Sequence, residues 1–162
     1  MTVRVVAPVI AKMKAILSHV GAWAPMAEQK ATAKYLLQKE NIDRYLVNFK
    51  QEIFYRLEEI SKGFSQMKSE GFNVDVIAPQ GAIYLTIKVD LVGKKKADGT
   101  LLQTQADVTQ YLLDEAKLAI VPFTAFGASK TSPWYRLSVG TCRKEEIPEF
   151  LGKLKEAMQK LS

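Results

Sequence analysis

The sequence predicts an α/β chain of the α+β type, with a small mixed sheet flanked by helices and preceded by one long helix. Three observations carry this. As far as Gly71, apolar residues recur at helical spacing. Beyond it, short runs rich in branched and aromatic residues alternate with helical segments. The chain then closes on an amphipathic stretch through Phe150, Leu151, Leu154 and Met158.

The elements follow in order. Val3 to Val6 is a short apolar piece holding Arg4. Pro8 suits the first turn of a helix, and Ile10, Met13, Ile16, Leu17 and Val20 keep helical spacing up to Gly21. Trp23-Ala24-Pro25 leads into a second helix over Met26 to Gln38, rich in Ala, Lys, Gln and Leu. Asn41 is the candidate N-cap of the longest element. There Leu46, Phe49, Ile53, Leu57, Ile60, Phe64 and Met67 form one stripe that ends at Gly71. Roughly 29 helical residues would span about 43 Å, which suits a coiled coil, a partner-facing helix, a spine joining two lobes or plain core packing.

Val74 to Ile77 and Ala82 to Val89 read as strands around a Pro79-Gln80-Gly81 turn, with Tyr84, Thr86 and Lys88 on one side of the second. Asp107 to Lys117 reads as a helix, and Leu118 to Val121 as a buried strand. Pro122 to Ala128 is a loop with two phenylalanines and little charge, which suggests a lining role. Pro133 to Gly140 is a strand that places Trp134, Arg136 and Ser138 on one face. Glu145 to Leu161 is the closing helix, with Pro148 tolerated near its first turn.

Composition narrows the function. With 48% hydrophobic and 25% charged residues, the composition is that of a folded globular chain. The net charge of +6 is spread along the chain, and no basic stripe with interleaved aromatics marks a nucleic-acid surface. The one tight basic run, Lys94-Lys95-Lys96, precedes Asp98-Gly99 and reads as a solvated turn. A single cysteine, Cys142, excludes an internal disulfide, and with only His19 beside it no zinc set can be assembled. No run reaches the roughly 18 apolar residues of a membrane span, and Pro8 and Lys12 interrupt any signal-peptide core. A cytoplasmic protein with no metal, membrane or nucleic-acid partner is expected.

Among chemistry-bearing residues, Arg136 stands out. An arginine in mid-strand is rarely buried unless paired, and its planar fork matches a carboxylate or phosphate. Structural ion pairs outnumber ligand sites, so by local sequence alone a salt bridge or a place at a sheet edge is the commoner reading. Gly-rich phosphate loops and nucleophile elbows are absent from the sequence. Glu145-Glu146 is explained by the helix macrodipole, and Ser65-x-x-Lys68 by chance within the long helix.

Four blocks then occur in order: Pro79-Gln80-Gly81-Ala82-Ile83-Tyr84, Leu112 through Pro122, Ala125-Phe126-Gly127, and Tyr135-Arg136-Leu137-Ser138. With Ser18 through Pro25 and Gln29 before them, they resemble the C-terminal part of class I/II aminotransferases, pyridoxal-phosphate enzymes of fold type I. The resemblance implies that Arg136 clamps the substrate α-carboxylate and that Phe126 lies near the substrate. It implies that Arg4 meets the cofactor phosphate, and that the segment with Gly21 and Trp23 lies near the dimer partner's active site. Two positions depart from the family pattern. Met1-Thr2-Val3 stands where a glycine and an aromatic residue are usual before Arg4, and Phe123 replaces a commoner glycine.

In that family the Schiff-base lysine falls just before the position of Met1, so the resemblance assigns no catalytic residue within the chain. It implies that residues 1–40 are a helical remnant of the large cofactor domain. Residues 41–162 would be the small domain, including the long helix over residues 41–70. The parent would move an amino group between an amino acid and a 2-oxo acid as a pyridoxal-phosphate-dependent homodimer. The chain alone is expected to be inactive and not to bind the cofactor tightly. The alternative is a non-catalytic interaction module that dimerises through its long helix.

Overall fold

A computed structural model of the protein describes residues 7–21 and 25–162. The expected pieces at Arg4 and Trp23 lie outside these. The chain divides into two compact units, Met1–Leu46 and Val47–Ser162.

The first unit holds α1 (Ala7–Val20), α2 (Met26–Leu36) and the start of α3 (Lys39–Ser69). None of its described side chains is buried. Gly21 ends α1 with φ +79°, a backbone conformation that favours glycine. His19 sits in the last turn of α1, where a ring nitrogen meets the Ala15 carbonyl at 2.8 Å. A helix-end role therefore accounts for it. Asn41 is not an N-cap. The α3 helix starts at Lys39, and the Asn41 amide donates instead to Gln38 Oε1 at 2.8 Å.

In the second unit α3 buries Ile53, Leu57, Ile60, Phe64 and Met67. The stripe is shorter than its periodicity predicts, because Phe49 is 40% exposed. The helix stops where expected. Gly71 has φ +94°, its N–H donates to the Lys68 carbonyl, and the Phe72 N–H donates to the Met67 carbonyl. These are the paired bonds of a Schellman cap, and Phe72 packs back on the core beside Met67.

The sheet has four strands in the order β1-β2-β4-β3, namely β1 (Val74–Ile77), β2 (Tyr84–Val89), β3 (Val121–Pro122) and β4 (Trp134–Ser138). All three pairings are antiparallel, which corrects the expected mixed sheet. The reason is topological. The helix α4 (Gln105–Ala116) links β2 to β3, and these two strands run the same way. However, β4 lies between them and pairs antiparallel with both.

The expected strand over Leu118 to Val121 also shrinks. Lys117 ends α4 in the left-handed region at φ 56°, and only Val121 and Pro122 pair with β4. Pro122 has no N–H with which to extend the ladder. Leu118 and Ile120 still bury their side chains.

One face of the sheet is the core face. Leu85, Ile87, Val89, Tyr135 and Leu137 are buried there with α3, with Val108 and Leu112 of α4, and with Leu154 and Met158 of α5 (Ile147–Gln159). A single 3₁₀ turn, Lys144–Glu146, precedes α5, and Pro148 lies in its first turn. Cys142 is a half-buried filler whose thiol is pushed up by burial and then by Glu146.

Candidate carboxylate-binding site

The opposite face of the sheet carries the other half of each strand's alternation: Tyr84, Thr86 and Lys88 from β2, and Trp134, Arg136 and Ser138 from β4. Arg136 is half-buried, directly across from Thr86 on one side and from Val121 on the other. It therefore sits on an interior strand and not at a sheet edge.

Its surroundings do not contain the expected ion pair. Among the described residues no carboxylate pairs with Arg136. Two rings take that place. The guanidinium carbon lies 4.4 Å from the centroid of the Tyr84 ring and 4.6 Å from that of Phe126. Both distances are within the range of cation–π attraction. The other cation of this face, Lys88, is held by Asp90 at 3.5 Å.

Phe126 reaches this position through a one-turn 3₁₀ helix, Phe123–Phe126, directly after β3. Gly127 closes the turn at φ +90°, where a side chain would be strained. Phe123 meets Phe126 edge-on, with centroids 6.2 Å apart and ring planes at 86°. The apolar loop of the sequence is thus an ordered ring pair beside Arg136.

Among the described residues, Arg136 is thus a half-buried guanidinium flanked by two rings and not by an acid. The two rings lie within cation–π reach of the guanidinium carbon, and the N–H donors, which lie in the guanidinium plane, form a fork that can donate to a planar carboxylate.

Residues 2–154 match the model of the family described as aminotransferase class I and II. The chain belongs to that family. Among its relatives, the probable aspartate/prephenate aminotransferase of Rickettsia conorii is 41% identical over 68 residues, which are 41% of this chain and 16% of the relative. The aspartate aminotransferase of Rhizobium meliloti is 34% identical over 90 residues, which are 55% of this chain and 21% of the relative. The crystal structure of aspartate aminotransferase from that organism superposes with a TM-score of 0.61 at 28% identity, over 73% of this chain and 28% of that one. An α-aminoadipate aminotransferase from Thermus thermophilus shares the fold over 94% of this chain and 36% of its own, with a TM-score of 0.62 at 18% identity. The chain spans about a fifth of the length of the curated relatives it matches.

The family implies pyridoxal phosphate, and the Arg136 face by itself does not fit its phosphate. A phosphate needs several convergent donors, and the Arg136 face offers one planar fork and a lysine already paired to Asp90. Arg4, which the resemblance gives to the phosphate, lies outside the described residues, as does Trp23. Gly21 is described at the end of α1, in the first unit. The structure brings together Arg136 and Phe126, and adds Tyr84, which strand alternation places on the same sheet face. The alternation of Tyr84, Thr86 and Lys88 was the available signal.

Proposed function

We propose that this chain supplies the substrate α-carboxylate clamp of an aminotransferase, with Arg136 as the clamp and Phe126 beside the substrate. The observation that carries this reading is the half-buried guanidinium, flanked by two rings and without an acidic partner among the described residues. The parent reaction is transfer of an amino group between an amino acid and a 2-oxo acid. Pyridoxal phosphate, bound mainly by residues outside the described ones, supplies the electron sink for that chemistry.

Residues 41–162 form the small domain that closes over the substrate and excludes water. Residues 1–40 belong to the cofactor domain, where Arg4 serves the phosphate and Gly21 and Trp23 approach the partner's site in a cytoplasmic homodimer. By the same reading, residues 1–162 alone do not transaminate, because no lysine among them takes the Schiff-base position.

The test is Arg136→Ala in the full-length, pyridoxal-phosphate-loaded parent enzyme. Truncating one partner of a hydrogen-bonded charge pair costs about 2–5 kcal/mol, so kcat/KM should fall by roughly 30-fold to 3,000-fold for amino and oxo acids alike. Unchanged affinity for both substrates would refute the clamp.

A second reading, an interaction module that pairs through its long helix, is favoured by one observation. Phe54 and Tyr55 of α3 are 57% and 44% exposed. It expects dimerisation that Phe54→Glu abolishes, together with no response of Arg136 to carboxylates.

A further inference from the structure

We propose that Tyr84 and Phe126 are positioning residues that lock the plane of the Arg136 guanidinium, so that a substrate carboxylate meets a pre-set fork. The inference rests on the clamp reading and goes beyond it by saying what holds the clamp.

The two rings come from opposite sides of β4. Tyr84 opens β2, the neighbour on one side, and Phe126 follows β3, the neighbour on the other. With centroids 4.4 Å and 4.6 Å away, both rings lie within cation–π reach of Arg136 Cζ. A ring attracts a cation through the ring's face, and a guanidinium stacks through its own flat face. Its N–H donors point outward in the plane and stay available. A carboxylate neighbour would orient the arginine equally well, but would occupy those donors and compete with the substrate. Aromatic flanks hold the arginine and leave its fork open.

The support continues one step further. Phe123 packs edge-on against Phe126, and Gly127 fixes the end of the turn that carries it. Phe126 is thereby held in place although 56% exposed, and Tyr84 is 39% exposed. Neither ring belongs to the buried core, so each can be removed without opening a cavity there. Losing a ring frees an arginine side chain that carries much rotamer freedom, and that freedom must then be lost again on binding.

The test uses the 162-residue chain labelled with ¹⁵N-arginine, with acetate and pyruvate as probes. The Arg136 Nε–Hε signal is assigned by its loss in Arg136→Lys. In the unsubstituted chain that signal should carry a ring-current displacement and move saturably with either probe. In Tyr84→Leu and in Phe126→Leu the displacement should shrink and the affinity should fall about tenfold. Tyr84→Phe and Phe126→Tyr keep the ring faces and should restore affinity to within about twofold. If the Leu variants bind acetate as tightly as the unsubstituted chain, the rings do not position Arg136, while the clamp itself stands. If Tyr84→Phe behaves like Tyr84→Leu, the hydroxyl acts and not the ring face, and the inference fails. If no carboxylate moves the Arg136 signal in the unsubstituted chain, the clamp reading fails and this inference with it.

Discussion

The Tyr111 hydroxyl donates to the backbone carbonyl of Ala157 at 2.7 Å, across a buried junction between α4 and α5. Ala157 lies in the last turn of α5, and the Leu161 N–H that would continue the helical ladder bonds to Met158 instead. The tyrosine therefore satisfies a carbonyl that the helix end leaves open. Tyr111→Phe keeps the ring and removes that partner. A buried acceptor left unpaired costs about 1–3 kcal/mol, so the urea midpoint should drop with the m-value unchanged. An unchanged midpoint would mean that water replaces the hydroxyl.

Tyr135 lies on the core face of β4 and is 1% exposed. Burial pushes its phenol up to about 12, against weaker hydrogen bonding from Thr109 and Gln105. The folded value exceeds the unfolded one, so the contribution to stability is complete below about pH 10. It is lost as pH rises from about 10 to about 12, where the unfolded chain has released the proton and the folded chain has not. Two pKa units correspond to about 2–3 kcal/mol. Tyrosinate absorbance should show Tyr135 ionising late, alongside Tyr111, whose phenol burial also raises, and Tyr135→Phe should flatten the alkaline fall in stability. A fall of equal steepness in the variant would place its cause elsewhere.

The N-terminus of α4 is closed by a capping box. The Asp107 N–H donates to the Thr104 hydroxyl at 3.2 Å, and the Thr104 N–H donates to the Asp107 carboxylate at 2.8 Å. Thr104→Ala should cost about 1 kcal/mol. Asp107 is held below the usual aspartate value, first by the Thr104 side chain and then by its backbone. That contribution is present above the ordinary carboxylate range and is lost as pH falls through the lowered folded value. Chemical denaturation at neutral and acid pH should show Thr104→Ala losing less at acid pH than at neutral. An equal loss at both would assign the effect to the hydroxyl alone.

The long helix was legible because its cues agree: a five-residue buried stripe at helical spacing, and a glycine whose positive φ completes a Schellman cap. The strand at Val74–Ile77 matched its branched composition residue for residue. The face of Arg136 followed from alternation alone. What surrounds it did not, because strand register is set by nonlocal packing. Tyr84 comes near Arg136 only because β2 and β4 pair with Tyr84 opposite Ser138. The short β3 was hidden for a similar reason. An apolar run reads as a buried strand, but the left-handed Lys117 redirects the chain, so that Leu118 and Ile120 bury their side chains outside any ladder. Base rates for arginine favoured an ion pair, and only the spatial arrangement shows rings in its place.

Gly127 links backbone conformation to the site. At φ +90° its N–H donates to the Thr124 carbonyl, and the next residue's N–H donates to that of Phe123, closing the turn that presents Phe126. A Cβ added there would meet nothing within 4 Å, so Gly127→Ala acts through backbone strain alone. That strain is about 1–2 kcal/mol, and the turn can relieve it by unwinding and shifting Phe126. Gly93→Ala supplies the control, since Gly93 has φ +89° and equally open space but lies in a different loop. Both variants should lose similar stability in urea. Only Gly127→Ala should also weaken acetate binding at Arg136, by about the same tenfold as removal of the Phe126 ring. Equal acetate affinity in the two variants would show that the 3₁₀ turn does not set the arginine's position, and the link from Gly127 through Phe126 to Arg136 would be broken.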